Sequence, residues 1–512
     1  MARRGRHSIG PLRRTPLFLL IWAVFSLAMW VPAVHAHFLN DHPTAQAFFY
    51  SGILGLFVVT LVTLSSSGRV PKWGALGQLA ALLASFGILP VFLALPLFEA
   101  VRTTSYLNAY FDMVSAITTT GADLFADPGR LSGPVHLWRA MVGWMGGLMM
   151  WIAASAILAP LSLGGFEVTA RGEPGRAVFA AIQNEKVDPR GRLLRVTRAL
   201  APIYGMLTAI ICVLLLISGE RGLTAICHAM SVMATSGISP VGGVEGSTAG
   251  ITGEAILFLF MFFALSRLTF SSDTVNRGYA RLDKDPEFRI GLMIVFGVPL
   301  LLFLRHWVGA YDVDASADLA AGLHALWGSV FTVMSFLSTT GFESADWQQA
   351  RAWSGLGTPG LILLGLAMIG GGVATTAGGV KLLRVFALYL NGLREMDRLI
   401  HPNSVSGEGA GNRRIQRDGA FIAWVFFMLF AISFAGISLI LAGLGAGFEQ
   451  ALILSIAALT TTGPLIEVAS DVPIRLVELG APAKLVLCAA MVIGRLETLA
   501  IIALLTPALW RR

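Results

Sequence analysis

Long apolar runs without charged residues recur along the whole of this 512-residue sequence. A helix needs about 20 such residues to cross the hydrocarbon core of a bilayer. Only 13% of the residues are charged and 55% are hydrophobic, whereas a soluble domain carries about 25% charged residues. The runs are continuous rather than alternating, which argues against a transmembrane β-barrel. The sequence therefore predicts an all-α polytopic membrane protein.

The basic residues follow the predicted spans in a regular way. We place the spans near 16–35, 47–65, 74–98, 137–163, 200–218, 253–266, 290–310, 357–380, 419–445 and 482–510. Alternate loops then hold most of the Lys and Arg residues, which is typical of the cytoplasmic side of a membrane. This distribution explains the net charge of +7 without nucleic acid as a partner. It also predicts that both termini are cytoplasmic.

The first apolar run has two interpretations. The stretch TPLFLLIWAVFSLAMWVPAVHA ends in a Val-x-Ala sequence at Ala36, as a secretory signal peptide does before its cleavage site. Its apolar region is long for a signal peptide. We favour a retained first helix and keep the signal peptide as the alternative.

Four segments between the spans end in a Thr-Thr/Ser-Gly motif. Aligned on the glycine they read NAYFDMVSAITTTG (108–121), TAICHAMSVMATSG (224–237), GSVFTVMSFLSTTG (328–341) and QALILSIAALTTTG (450–463). The residue two positions before the glycine is always Thr. The motif residues are Thr118, Thr119, Thr120, Gly121, Thr235, Ser236, Gly237, Thr339, Thr340, Gly341, Thr461, Thr462 and Gly463. A pattern that returns in register indicates one structural unit used four times.

Each unit consists of a span, about 12 helix-forming residues, the motif, a polar return and a second span. Twelve helical residues reach about 18 Å, roughly half of the bilayer core. We therefore predict that each short helix enters from outside and stops midway. Non-helical backbone at that depth must be buried in protein or bathed in water, and four units around one pseudo-fourfold axis supply both. The predicted divisions are 1–70 (helix pair), 71–170, 190–280, 288–400 and 415–512 (pore repeats 1 to 4).

The motif has the chemistry of a cation pathway. The end of a helix carries partial negative charge, and rings of backbone carbonyls can replace the water around an ion. Glycine permits the positive φ that an inward carbonyl can require, and the hydroxyls can bind the ion or hold the backbone. Asp123, Glu343, Asp346 and Glu467 follow the motifs and can concentrate cations there. The alternative is that Thr, Ser and Gly are small residues at helix contacts.

A glycine-rich stretch interrupts the second span of the third unit. IGGGVATTAGGVK (369–381) contains five glycines, and each interior glycine costs a helix roughly 1 kcal/mol relative to alanine. We predict an irregular loop at 370–379 beside a water-filled cavity, with close helix packing as the alternative. It has no Walker-type GxxxxGK[ST] spacing.

Arg495 lies within the last predicted span. An arginine at the bilayer centre costs at least about 2.5–3.5 kcal/mol, so its side chain is expected to face the protein interior. There it can pair with a carboxylate or with backbone carbonyls.

An enzymatic site is not evident. Cys212, Cys227 and Cys488 are scattered and predict neither disulfides nor a metal site. The sequence has no HExxH motif, and no Ser–His or paired-Asp constellation stands out. We therefore expect no catalytic activity and no cofactor.

Several long segments resemble the Trk/Ktr/HKT superfamily of potassium transporters, specifically its TrkH branch. They include WMGGLMMWIAASAILAPLSLGGFEV (144–168), STTGFESADW (338–347), GGGVATTAGGVKLLRVFALYLNGLREMDRLIHPNSV (370–405) and GRLETLAIIALLTP (494–507). The resemblance implies two N-terminal helices, four membrane–pore-loop–membrane repeats around one pore, and potassium uptake. Glycine at Gly121, which is serine in sodium-preferring plant relatives, points to K⁺ as the transported ion.

The same resemblance implies a gate below the motifs. The gate residues are Gly370, Gly371, Gly372, Thr375, Thr376, Gly378, Gly379, Lys381 and Arg495. In the family this loop blocks the pore until it moves. The resemblance places Arg495 near this loop, where its positive charge would oppose the passage of a cation.

The resemblance also implies a homodimer in the bacterial inner membrane and a cytosolic ring of TrkA-type subunits that bind NAD(H) or ATP. This chain has no nucleotide-binding domain of its own. Its basic segments 171–198 and 381–417 are the candidate docking surfaces, or they contact anionic membrane lipids. The main alternative mechanism is a secondary transporter that couples K⁺ or Na⁺ import to protons or sodium, since broken helices serve such proteins too.

Overall fold

The computed structural model describes residues 15–66, 74–125, 127–159, 189–266, 285–308, 319–355, 357–400, 410–470, 474–497 and 501–502, and every regular element in them is helical. Within these ranges, eight helices are long and apolar enough to cross a membrane. The termini and most of the basic segment 171–198 lie outside the described residues, as do residues 401–409 of the second basic segment.

The predicted N-terminal helix pair is present. Its first span is made of α1 (Leu17–Ala28) and α2 (Trp30–Phe38), and its second is α3 (His42–Ser65). The side chain of Asp41 accepts a hydrogen bond from the backbone N–H of Thr44 at 3.3 Å. This N-terminal cap explains where α3 begins, since the first N–H groups of a helix lack intrahelical partners.

Four units follow, each with a buried inner helix that ends at a Thr-Thr/Ser-Gly motif and a return helix that comes after it. The first contains α4 (Ala75–Gly87), α5 (Leu89–Val101), inner helix α6 (Tyr106–Ile117) and return helix α7 (Gly133–Ala153). The second contains α8 (Pro189–Ile217), inner helix α9 (Gly222–Ala234) and return helix α10 (Gly250–Met261). The third contains α11 (Pro286–Val308), inner helix α12 (Leu319–Leu337), α13 (Trp347–Ser354) and return helix α14 (Gly360–Ile369). After α15 (Leu382–Ile400), the fourth contains α16 (Ala410–Gly443), inner helix α17 (Phe448–Leu459), α18 (Leu465–Val468) and return helix α19 (Ala481–Leu496).

Three inner helices have the predicted half-length, and one does not. Helices α6, α9 and α17 have 12, 13 and 12 residues, whereas α12 has 19. The prediction of a short third helix is therefore wrong. Gly328, at its predicted start, lies inside the helix, where a Cβ atom would be only 2.6 Å from the Asp346 carbonyl oxygen. This glycine serves close packing rather than a helix boundary.

Three of the four return helices, α10, α14 and α19, are shorter than continuous spans, whereas α7 lies within a 26-residue candidate span that ends at Leu158. Helix α14 ends at Ile369, where the glycine-rich loop begins, so the predicted break is present. The last predicted span, 482–510, is wrong as one helix, because α19 ends at Leu496 and Glu497 has φ of +64°. Left-handed backbone at a non-glycine residue terminates the α-helical hydrogen-bond ladder.

Glycines bring two return helices close to the inner helices. A Cβ atom on Gly146 would lie 2.0 Å from the Ile117 carbonyl oxygen, and one on Gly494 would lie 2.3 Å from that of Leu459. Both carbonyls lie four residues before a motif glycine. The first and fourth units thus pack at the same depth in the same way, as small residues allow in membrane proteins.

Candidate functional site

A left-handed threonine occurs at the same motif position in all four units. The φ angles of Thr119, Thr235, Thr339 and Thr461 are +57°, +51°, +58° and +53°. Such a conformation is an outlier for a β-branched residue and costs on the order of 1–3 kcal/mol. Strain of this kind persists only where the surroundings impose it, and it clusters at functional sites. The sequence predicted positive φ at the motif glycines and not at these threonines.

The residue after each left-handed threonine directs the local backbone. Its N–H group bonds to a carbonyl five residues earlier: Thr120 to Ser115 (2.8 Å), Ser236 to Ser231 (3.0 Å), Thr340 to Ser335 (2.9 Å) and Thr462 to Ala457 (2.9 Å). In a trans peptide the N–H and C=O groups point in opposite directions. The carbonyl of each left-handed threonine therefore points away from its own inner helix.

The motif glycines serve two purposes. Gly121, Gly237 and Gly341 have φ of +68°, +65° and +86°, as predicted. Gly463 is not among the positive-φ residues, so the prediction is wrong there. Its lack of a side chain instead permits close approach, since a Cβ atom would lie 2.0 Å from the backbone nitrogen of Ala122.

The four motifs meet one another in cyclic order. A Cβ atom would contact Ser236 O at 1.7 Å from Gly121, Thr340 O at 2.4 Å from Gly237, Pro464 Cγ at 2.9 Å from Gly341, and Ala122 N at 2.0 Å from Gly463. Each motif thus lies against the motif of the next unit or against the residue directly after it, and the fourth returns to the first. The fold brings all thirteen predicted motif residues together in one ring.

The motif hydroxyls divide into two groups. Those next to the glycine are held by other hydroxyls: Thr120 by Thr118 (2.8 Å), Ser236 by Ser231 (3.2 Å), Thr340 by Ser338 (2.9 Å) and Thr462 by Thr460 (3.2 Å). By contrast, the buried hydroxyls of Thr119 and Thr461 have no hydrogen-bond partner among the described residues. Buried polar groups of this kind normally have a partner, and together with the threonine carbonyls they form oxygen donors suited to a hard cation.

The four acidic residues beyond the motifs are not equivalent. Asp123 is bonded to Arg139 at 3.0 Å, and Asp346 is bonded to His324 at 2.9 Å. Glu343 is half-buried. Burial is the main reason that the pKa of Glu343 is raised to about 7; neighbouring Glu245 and Glu467 contribute to the rise, and Arg351 opposes it. Its charge therefore changes near neutral pH.

The loop at 370–379 lies directly beneath the motifs. The Gly378 N–H donates to the Thr339 hydroxyl at 2.7 Å, and the Thr376 hydroxyl donates to the Met233 carbonyl at 3.2 Å. A Cβ atom on Gly378 would lie 2.0 Å from the carbonyl oxygen of Thr460. The loop thus contacts the second, third and fourth units at the ends of their inner helices.

The loop also has a defined hydrogen-bonded path of its own. The Gly372 N–H donates to the Ala264 carbonyl at 2.9 Å, and the Val373 N–H donates to a carboxylate oxygen of Glu287 at 3.0 Å. The Val380 N–H donates to Met368 O at 2.9 Å. These bonds satisfy backbone groups that no helix satisfies, as burial requires.

Two basic side chains donate hydrogen bonds to carbonyl oxygens of this loop. Buried Arg495 donates from Nη1 to the Thr376 carbonyl at 2.6 Å, and its Nε and Nη2 atoms lack partners among the described residues. Lys381 donates from Nζ to the carbonyl oxygen of Ala377. The predicted gate residues are therefore neighbours, and the guanidinium contacts a backbone carbonyl, one of the two kinds of partner considered for it.

Two buried ion pairs were not predicted from the sequence. Arg384 bonds to Glu497 at 2.7 Å and lies 3.6 Å from the centre of the Phe426 ring. Arg139 bonds to Asp112 at 3.0 Å. Arg139 lies in the predicted span 137–163, so the argument applied to Arg495 could have found it, whereas Arg384 lies in the basic segment 381–417, to which that argument does not apply.

The chain is similar to known proteins along most of its length. Residues 253–511 match the TrkH family, described as cation transport proteins. The chain is 29% identical over 517 residues to the Trk system potassium uptake protein TrkH of Vibrio parahaemolyticus, covering 96% of this chain and 98% of the relative. It is also 29% identical to TrkH of Escherichia coli K12, covering 84% of this chain and 83% of the relative. The crystal structure of the potassium transporter TrkH from Vibrio parahaemolyticus superposes with a TM-score of 0.79 and 25% identity, over 98% of this chain and 99% of that one.

The titration of Glu343 generates a testable prediction. Its carboxyl is charged above a pKa of about 7 and neutral below it. In water, one unit charge about 8 Å away contributes roughly 0.5 kcal/mol to cation binding, about twofold in affinity. The apparent KM for rubidium uptake should therefore rise about twofold as the outside pH falls from about 8 to about 6.

Proteoliposomes containing the wild type or Glu343→Gln provide the measurement. The variant should show a weaker pH response than the wild type, because its side chain cannot ionise. A remaining response is expected from Glu467, whose pKa burial also raises to about 7. An equal pH response in the two proteins would show that another group is responsible.

Proposed function

The chain belongs to the TrkH family of cation transport proteins, and from this premise we propose that it takes up K⁺ through a gated, channel-like pore. Relatives that match most of its length are named potassium uptake proteins. The observation that carries the proposal is the ring of four left-handed threonines, whose carbonyls point away from their inner helices. Members of this family of cation transporters are not enzymes, as the sequence predicted for this chain.

The selectivity filter is the ring of Thr-Thr/Ser-Gly motifs. A K⁺ ion enters with part of its water removed, and the threonine carbonyls replace that water. The unpartnered hydroxyls of Thr119 and Thr461 add two oxygen donors at the inner edge. The hydroxyls next to the glycines bond to other hydroxyls and hold the backbone, so the carbonyls and not these hydroxyls bind the ion.

The gate is the 370–379 loop with Arg495. The loop blocks the path beneath the filter, and the guanidinium raises the energy of a cation there. At about 6 Å and an effective dielectric constant near 20, two unit charges repel by roughly 3 kcal/mol. A fixed arginine would thus slow permeation about a hundredfold.

The chain is a multi-pass membrane protein of a bacterial transporter family. We place it in the inner membrane with both termini cytoplasmic, as the distribution of basic residues favours. We also propose that it works as a homodimer with TrkA-type subunits that bind NAD(H) or ATP. Their docking surface would be the basic segments 171–198 and 381–417.

A coupled secondary transporter is the second candidate, because broken helices with ion sites also occur there. Single-molecule currents in planar bilayers separate the two mechanisms. Discrete openings far above carrier turnover support the gated pore. A fixed ratio of K⁺ to protons or sodium, without such openings, would replace it with a carrier.

Replacing Gly121 by serine tests the filter. A Cβ atom there meets the Ser236 carbonyl oxygen at 1.7 Å, and φ of +68° disfavours any side chain. One carbonyl of the ring must therefore shift, and discrimination against sodium should fall. Reversal potentials in mixed K⁺ and Na⁺ measure this discrimination.

Gly436→Ser is the matched control, because Gly436 lies in α16 and a Cβ atom added there would have no neighbour within 4 Å. It should leave the reversal potential unchanged. If folded Gly121→Ser keeps the wild-type ratio, Gly121 does not belong to the filter.

Removing the charge of Arg495 tests the gate. Arg495→Gln keeps much of the side-chain length and should raise basal rubidium flux in the absence of any partner or nucleotide, because the electrostatic barrier is lost. The effect should approach a hundredfold if the charge alone limits passage. Flux is measured in liposomes and normalised to folded protein.

A shortened loop separates the steric part of the barrier. Deletion of Gly371 and Gly372 should also raise basal flux. If Arg495→Gln instead lowers thermal stability and leaves flux per folded molecule at or below wild type, the arginine only ties the loop to α19. A leak in the deletion alone would leave the loop as the gate.

A further inference from the structure

Arg139 joins the two ends of the first filter segment. It is 3% exposed, and its Nε atom lies 3.1 and 3.0 Å from the two carboxylate oxygens of Asp112, nine residues before Gly121. Its Nη2 atom lies 3.0 Å from Oδ1 of Asp123, two residues after Gly121. The same Asp123 oxygen accepts the Phe125 N–H at 2.9 Å. One guanidinium from α7 therefore fixes the inner helix and the chain just beyond the motif.

The contact between the inner helix and the chain beyond the motif differs among the units. We call the four residues after each motif glycine the outlet loop: 122–125, 238–241, 342–345 and 464–467. In the second unit the His228 side chain hydrogen-bonds to the Ser239 hydroxyl at 2.9 Å, a contact between two side chains that form no ion pair. In the third unit the Thr332 hydroxyl accepts the N–H of Ser344, one position further along, at 3.2 Å. In the fourth unit the positions of Asp112 and Asp123 are taken by the buried leucines Leu454 and Leu465.

The third outlet loop receives a charged group from a neighbouring unit. Glu254 of α10 accepts the Ser344 hydroxyl at 2.8 Å and the Ala345 N–H at 2.7 Å. The Trp327 indole donates to the same carboxylate at 2.8 Å. Charge-assisted bonds therefore hold the first and third outlet loops, and a neutral bond holds the second. Apolar packing and the backbone hydrogen bonds around α18 hold the fourth.

The fourth unit shows that the fold itself does not need an ion pair at these positions. Leu454 and Leu465 occupy them with apolar side chains, yet α17 ends in the same left-handed threonine. Burying charges is costly, and a buried pair is often no more stabilising than apolar side chains. What such a pair supplies is a fixed geometry with directional bonds.

We propose that Arg139 is a positioning residue for ion selectivity, which fixes the outer end of the first filter segment through Asp112 and Asp123. This inference rests on the proposed role of the four motifs as a filter. Loss of the fixation lets the Thr119 carbonyl move inward around the smaller Na⁺ ion.

The test removes both buried charges together, so that neither is left unpaired. Arg139→Met/Asp112→Asn should fold and should raise the permeability ratio of Na⁺ to K⁺ about tenfold, the typical size of effect when groups that orient ion ligands are lost. Reversal potentials give the ratio, and thermal unfolding in detergent gives the stability. Arg139→Lys, which keeps the charge without the two-pronged geometry, should lie between the wild type and the double variant.

Asp123→Asn provides a second route if the double variant does not fold. Asp123 is 25% exposed and its replacement leaves the Arg139–Asp112 pair intact. It removes only the charge that holds the outlet loop and should raise the Na⁺ to K⁺ ratio by a smaller factor. The control is Lys484→Met, which removes another cation bonded to α6, to Asn108 at 2.8 Å, far along the helix from the outlet loop.

The outcomes separate this inference from the filter itself. A raised ratio in the Arg139 and Asp123 variants, with an unchanged ratio in Lys484→Met, supports the positioning role. Folded variants with the wild-type ratio, or an equal change in Lys484→Met, overturn it. If Gly121→Ser shifts the ratio in the same assay, the filter stands without this role; if no variant shifts it, the filter assignment has failed.

Discussion

Backbone N–H and C=O groups at the centre of a bilayer find no water. Where the chain is not helical, these groups must therefore bond to other protein groups or to a transported ion. Four inner helices end at this depth, and each ends in the same way. A left-handed threonine turns the chain, the next N–H returns to a carbonyl five residues earlier, and the threonine carbonyl is left pointing away from the helix. The other features of the ring, including close contacts at the glycines and hydroxyl pairs behind the backbone, keep this arrangement in place.

The glycine-rich loop on the inner side of the ring must also satisfy its backbone polar groups without water, and it does so with different partners. The glycine-rich loop bonds its N–H groups to Ala264 and Glu287 and presses Gly378 against the motifs. Glycine is needed because any side chain at that point would overlap the carbonyl of Thr460. Arg495 donates a hydrogen bond to a carbonyl oxygen of this loop. The loop and the last return helix are therefore joined by a bond that any movement of the loop must break.

Repetition made most of the fold predictable from sequence. Four aligned Thr-Thr/Ser-Gly motifs indicated the units, and five glycines indicated the break after Ile369. The length of α12 was not predictable, because a glycine such as Gly328 is typical of the start of a helix. Only the structure shows that this glycine permits close packing against the Asp346 backbone. The left-handed threonines were missed since intrinsic preference opposes them and only the ring imposes them. The pairs of Arg139 and Arg384 join residues that are distant in the sequence, and no spacing rule within one helix reveals such partners.

The most direct test of the central claim, that the four motifs bind one dehydrated cation on a common axis, is anomalous scattering from crystals containing thallium(I) in place of K⁺. A peak should lie on the axis among the carbonyl oxygens of Thr119, Thr235, Thr339 and Thr461, and it should weaken when K⁺ is added in excess. Crystals in which thallium binds elsewhere and leaves the ring without a peak would contradict the assignment of the motifs as the cation site.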